Sequence, residues 1–180
     1  MITALLLVII IYLGGGIVYF AAHRPGYSHI RNTISELGED FAPNRKMVNM
    51  GLFLPVGFML LVTGLFIGTQ GYGKELALCI GAGYLISALF PCDPGSPFVG
   101  SGKQVVHNIA GIIEYGGGIY FMHQSGHPLF ALVAVEPQWI TGILILCIAL
   151  TPFPEWKLRG LFQRIMEMIL FCQLLWIVSH

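Results

Sequence analysis

Apolar residues arrive along this chain in blocks of about 20, divided by polar stretches, with neither the 3.6-residue period of a half-buried helix nor the alternation of a half-buried strand. At about 1.5 Å per residue, such a block crosses a hydrocarbon core of about 30 Å. Six spans are predicted, near residues 2–22, 47–68, 75–91, 104–123, 128–153 and 161–179. Glu136-Pro137-Gln138 interrupts the fifth. Either its helix kinks at Pro137, or residues 128–138 lie partly at the interface and the span starts near Trp139. Trp139 and Trp156 bracket that shorter version, as an aromatic belt would. The first block lacks a basic leading region and outruns the roughly 7–15 apolar residues of a signal peptide, so it reads as a retained membrane helix. The expected architecture is all-α: an integral membrane bundle of six transmembrane helices with a structured first loop, forming one domain over residues 1–180.

Composition points the same way. Apolar residues make up 56% of the chain and charged residues only 10%, against roughly 45–50% and about 25% in soluble domains. So little charge cannot cover a water-facing surface, which makes lipid bilayer the expected partner. Nine Lys and Arg balance nine Asp and Glu, leaving no net field to recruit nucleic acid. Cys79, Cys147 and Cys172 lie inside apolar blocks and Cys92 ends one, without disulfide or zinc spacing. At least the three inside the blocks read as small apolar fillers.

An even number of spans puts both termini on one side and the first, third and fifth loops on the other. Those three loops and their edges carry Arg24, Arg31, Arg45, Lys46, Lys103, Lys157, Arg159 and Arg164, against Lys74 alone on the terminal side. The positive-inside rule then makes the protein a multi-pass cell-membrane protein with these loops cytoplasmic and both termini outside. Gly14-Gly15-Gly16 in the first span is echoed by Gly116-Gly117-Gly118 in the fourth, and both are candidate packing faces. The echo would fit two inverted three-helix repeats, although chance repetition of glycine runs is the simpler explanation.

The few polar residues concentrate the candidate chemistry. In the long first loop, Thr33-Ile34-Ser35-Glu36 is a capping box that would open a short helix ended by Gly38. That leaves Arg31 and His29 unexplained, and Ser28 sets a hydroxyl beside the His29 imidazole. In Phe90-Pro91-Cys92-Asp93-Pro94-Gly95, two prolines frame Asp93 at the membrane edge on a stiff backbone. His107 stands one turn into the fourth span, with Glu114 seven residues on along the same face. Glu114 falls about 15 Å deep, where an ionised carboxylate costs at least a few kcal/mol unless protonated, paired or wet. Its expected partner is the start of the sixth span, where Gln163, Arg164 and Glu167 lie. Together these groups predict a polar vestibule open on the side of loops one, three and five.

Arg24-Pro25-Gly26-Tyr27-Ser28-His29, Arg31-Asn32-Thr33-Ile34-Ser35-Glu36-Leu37-Gly38, Phe90-Pro91-Cys92-Asp93-Pro94-Gly95 and His107 resemble, in order and spacing, the prokaryotic multi-pass membrane family known as domain of unknown function 998. The resemblance covers nearly the whole chain. It implies six membrane helices, with signature positions at Ser28, Arg31, Ser35, Glu36, Asp93 and His107, and it brings no activity with it. A remoter likeness to six-helix eukaryotic membrane proteins of lipid and sterol handling is an analogy of fold.

Three functions fit. A binding or transport protein would hold a lipid headgroup or small polar ligand in the vestibule, with Arg31 and Arg164 as anion donors and Glu114 as a proton or cation site. A membrane-embedded lipid hydrolase would use Asp93, His107 and His29 or Glu36 around a divalent metal, or a Ser28–His pair as nucleophile and base. Asp93 and His107 are weak metal candidates, since no H-E-x-x-H, no G-x-S-x-G and no ligand pair at helical spacing exists, and no bis-histidine pair for a haem is offered. The residues name no cofactor. An assembly factor would instead present its glycine faces to another membrane protein.

Overall fold

The computed structural model describes residues 1–68, 72–125 and 137–179, which form six helices and no strand. These are α1 (Ile2–Ala22), α2 (Arg45–Phe66), α3 (Gly73–Leu89), α4 (residues 102–124), α5 (Pro137–Leu150) and α6 (Arg159–Ser179). Except in the fifth, both ends of every helix fall within two residues of the expected span. Within the described residues helix α5 runs from Pro137 to Leu150. The proposed earlier part of that span, residues 128–136, lies outside the described residues.

Helices α1, α2 and α6 are long and apolar enough to cross a membrane. In α1 the buried side chains are Leu6, Ile9, Leu13 and Ala21, essentially one stripe. The rest of its apolar surface faces outward, which is stable only in an apolar solvent. The molecule is therefore a helical membrane bundle.

Helix α3 is its axis, packed against α2, α4 and α6. The closest approach is between α2 and α3 at two glycines: a Cβ on Gly57 would lie 2.6 Å from the Leu85 backbone nitrogen, and one on Gly81 2.9 Å from that of Leu61. Small residues of this kind bring helix backbones together where lipid supplies no hydrophobic drive. The two glycine triplets serve differently. A Cβ on Gly14 or Gly15 would meet nothing, Gly16 faces Leu52, and Gly117 and Gly118 face Cys79 and Leu170.

Two helices widen locally into π turns, at Asn49–Phe53 in α2 and Ile112–Gly117 in α4. In α2 the cause is next to hand: Pro55 has no N–H for the carbonyl one turn back, and the Tyr12 hydroxyl of α1 bonds the Gly51 carbonyl instead. Loop 1 (residues 23–44), loop 3 (90–101) and loop 5 (151–158) gather at one end of the bundle. There the Asp40 N–H donates to the Cys92 carbonyl (2.9 Å), the Gly95 N–H to Glu39 Oε2 (2.7 Å) and the Leu161 N–H to the Ile30 carbonyl (3.0 Å).

Candidate functional site

Loop 1 folds as a plug because its polar side chains bond each other and the start of α6. The capping box forms: the Thr33 N–H donates to Glu36 Oε1 (2.9 Å) and the Glu36 N–H to Thr33 Oγ1 (3.4 Å), opening a short turn over Ser35–Gly38. Glu36 also accepts from Asn32 Nδ2 (2.5 Å) and forms a buried ion pair with Arg159. Arg164 donates to the carbonyls of His29 (2.7 Å), Asn32 (2.9 Å) and Gly160 (2.8 Å), and to the Tyr27 hydroxyl (2.6 Å). Burial pushes the Tyr27 hydroxyl up to about 12, against the pull of the Arg164 guanidinium. Gly160 must be glycine for this docking, because a Cβ there would collide with the Asn32 backbone.

Loop 3 is tied off in the same way. Gly95 turns it with φ 79°, a conformation that suits glycine. Asp93 accepts from the Ser101 N–H (2.6 Å) and hydroxyl (2.7 Å), and these bonds hold its carboxyl below the usual carboxylate range. The Asp93 N–H donates to Gln104 (2.7 Å), so Asp93 organises the entry into α4. His107 lies one turn further, with Nδ1 3.0 Å from the Phe90 carbonyl. A carbonyl only accepts, so Nδ1 carries the proton there.

Between these loops and the helices lies a cavity of about 580 Å³, a size usual for ligand sites. Its walls include Ser35 of loop 1, Tyr84 of α3, His107, Ile112, Glu114 and Tyr115 of α4, Ile145 and Ile148 of α5, and Gln163 and Glu167 of α6. The walls are largely apolar. Ser87, His107, Asn108 and Gln163 add scattered polar groups, and one end is made by Glu114 and Glu167, which are 5% and 7% exposed and interact directly through their carboxyl groups. Neither forms an ion pair among the described residues.

A directional chain of hydrogen bonds reaches this end. The Ile34 N–H donates to Gln163 Oε1 (2.6 Å), Gln163 Nε2 to the Tyr115 hydroxyl (3.0 Å), and that hydroxyl to Glu167 Oε1 (2.6 Å). Beyond it, Glu114 Oε1, Glu167 Oε2 and the buried Tyr84 hydroxyl have no hydrogen-bond partner of good geometry, although Tyr84 lies close enough to interact with Glu167. Gly83 of α3 makes room for Glu114, since a Cβ there would strike its carboxyl oxygen.

Of the residues singled out in the sequence, His107, Glu114 and Ser35 line the cavity. Glu36 and Arg164 lie behind it, holding loop 1. Arg164 faces loop-1 carbonyls, and the residue beside Glu114 is Glu167. Asp93 is occupied at Ser101. Arg31 is exposed, and only its carbonyl is engaged, by Arg159 Nε (3.3 Å). His29 is exposed against the Tyr27 ring, and burial together with Arg164 pushes its imidazole down. Among the described residues no hydrogen bond joins Ser28 to His29, and no three His, Cys, Asp or Glu side chains are grouped to hold a metal ion. Sequence reasoning missed Tyr84, Tyr115 and the pairing role of Arg159. The last had a signal: a cation in the first turn of a helix opposes the helix dipole and calls for a nearby carboxylate.

The fold and cavity define a multi-helix membrane protein with an acid-ended internal chamber. The family model described as "Protein of unknown function (DUF998)" matches residues 2–180, and the chain belongs to that family. No curated protein and no solved structure matches it.

Proposed function

We propose that the protein binds a lipid or small polar ligand in this cavity, with the ligand's polar group held at Glu114 and Glu167. The observation that carries the reading is the buried acid pair where the cavity ends, with Glu114 Oε1 and Glu167 Oε2 left without a hydrogen-bond partner of good geometry. Buried polar atoms of folded proteins nearly always find a partner, and a ligand donating hydrogen bonds would supply one here. Binding is favoured over hydrolysis because Asp93 is committed to Ser101 and Ser28 is not joined to His29. Arg31 and Arg164 drop out as anion donors, the first exposed and the second filled by four acceptors. On the balance of Lys and Arg, the loop end of the cavity faces the cytoplasm.

The test is thermal unfolding of the full chain in detergent against a panel of lipids and polar metabolites. At least one compound should raise the melting temperature of the wild type and lose that effect in Glu114→Gln. Stabilisation by no member of the panel, or an equal effect on Glu114→Gln, overturns the proposal.

A further inference from the structure

We infer that the ligand is a long-chain lipid with a hydroxyl or amine head, and that it enters sideways from the bilayer between α4 and α5. This rests on the binding reading above and adds the route and the chemical class.

The route follows from which cavity walls also face outward. Asn108, Ile112 and Gly116 form one stripe of α4 at i, i+4 and i+8, and all three border the cavity. Ile112 is 69% exposed, and on the facing helix Ile145 borders the same cavity while 52% exposed. A mid-helix side chain of a membrane bundle that is both outside and on the cavity wall marks an opening toward lipid. The packing agrees: among the described residues α5 packs chiefly on the C-terminal part of α4 (Gly118–Gln124) and on α6, and less on the part of α4 before it. At the loop end two rings that are themselves partly exposed border the cavity. Phe98 of loop 3 and Phe153 of loop 5 stack with ring centroids 5.9 Å apart, and the loop-1 plug lies beside them.

The head chemistry follows from what the polar end can and cannot bond. Glu114 and Glu167 offer acceptor oxygens, and among the described residues no Lys or Arg lines the cavity. A carboxylate or phosphate head would set a further acid beside Glu114 and Glu167, with no Lys or Arg of the lining to neutralise it. A hydroxyl or ammonium donates to the two acid oxygens, Glu114 Oε1 and Glu167 Oε2, that have no partner of good geometry. The apolar walls then take the chain, which leaves through the Ile112–Ile145 gap into the surrounding lipid.

Two substitutions close the gap without touching the acid pair. In Gly116→Trp the new Cβ meets only the Ile112 methyl at 3.8 Å, so the backbone leaves room for a side chain to start toward the gap. Ile145→Trp approaches from the other side. Ile11→Trp, on the outer face of α1, serves as the control. The full chain is reconstituted in phosphatidylcholine vesicles with diazirine-bearing forms of a long-chain alcohol, a long-chain amine and a fatty acid, and labelled residues are mapped by mass spectrometry.

The alcohol and amine probes should label residues 107–116 and 145–149, and excess unlabelled alcohol should displace them. The fatty acid should label about tenfold less, and each portal variant should cut alcohol labelling by about tenfold, a difference near 1.4 kcal/mol. Ile11→Trp should change nothing, and melting temperatures show that each variant is folded. Undiminished labelling in both folded portal variants overturns the route and leaves binding standing. Fatty acid labelling equal to that of the alcohol overturns the head class. Absence of displaceable labelling with every probe overturns the lipid assignment, and binding itself then falls only if the thermal panel also finds no ligand.

Discussion

The Arg159 guanidinium at the start of α6 pairs with the Glu36 carboxylate of loop 1, and each side chain is 3% exposed. The partners are 123 residues apart in sequence. Their contact, with Gly160 and Arg164 beside it, docks loop 1 on the start of α6, at the edge of the chamber. It also orders Ile34 and Gln163, from which the hydrogen-bond chain runs to Glu167.

Removing one member of that pair strands the other charge. Arg159→Met is expected to cost about 3–5 kcal/mol, measured by reversible unfolding in mixed micelles. Adding Glu36→Leu should recover a substantial part of the loss. If the two single losses simply add in the double variant, the pair does not hold the loop.

Tyr27 gives the loop a pH signature. Its hydroxyl is pushed up to about 12 by burial, whereas the unfolded chain releases that proton near pH 10. Between those values the folded state holds the proton that the unfolded state has lost, so stability falls as pH rises through the window and is fully present below it. Absorbance of tyrosinate should show a late-titrating component near pH 12 that is lost in Tyr27→Phe. A Tyr27→Phe difference spectrum centred at pH 10 would speak against the buried hydroxyl.

Gly83 and Gly14 make a matched pair of tests. Gly83→Ala drives a Cβ into Glu114 and is expected to destabilise by about 1–3 kcal/mol, with loss of ligand-induced stabilisation. A Cβ on Gly14 meets nothing, so Gly14→Ala should be neutral or stabilising by up to about 1 kcal/mol through helix propensity. Equal behaviour of the two would contradict the placement of Glu114 against α3.

Asp93 separates folding from binding. Asp93→Asn loses part of the double acceptor that receives Ser101. The melting temperature should fall by several degrees, the scale of about 1 kcal/mol, while the ligand-induced increment persists. Loss of the increment with unchanged melting would place Asp93 at the ligand instead.

The bundle was legible because lipid forces its own pattern: blocks of spanning length and charge swept to the loops. The capping box at Thr33 and Glu36 and the cost of Glu114 could be read the same way, since each depends on near neighbours or on depth alone. The partner of Glu114 could not. Arg164 and Glu167 share a helix face three residues apart, and only the docking of loop 1 decides that Arg164 turns to carbonyls while Glu167 meets Glu114. The π turn over Ile112–Gly117 also escapes sequence reading, because no proline marks it, yet it shapes the wall that carries Glu114 and Tyr115. The glycines that bring α2 and α3 together, Gly57 and Gly81, stand singly and look no different from glycines that pack against nothing.

The most direct test is a structure of the full chain in lipid nanodiscs at a resolution that shows bound lipid. An elongated density is expected in the chamber, with one end within hydrogen-bonding distance of the Glu114 or Glu167 carboxyl and the other leaving between Ile112 and Ile145. A chamber holding only ordered water, with Glu114 and Glu167 satisfied by it, would contradict ligand binding at the acid pair.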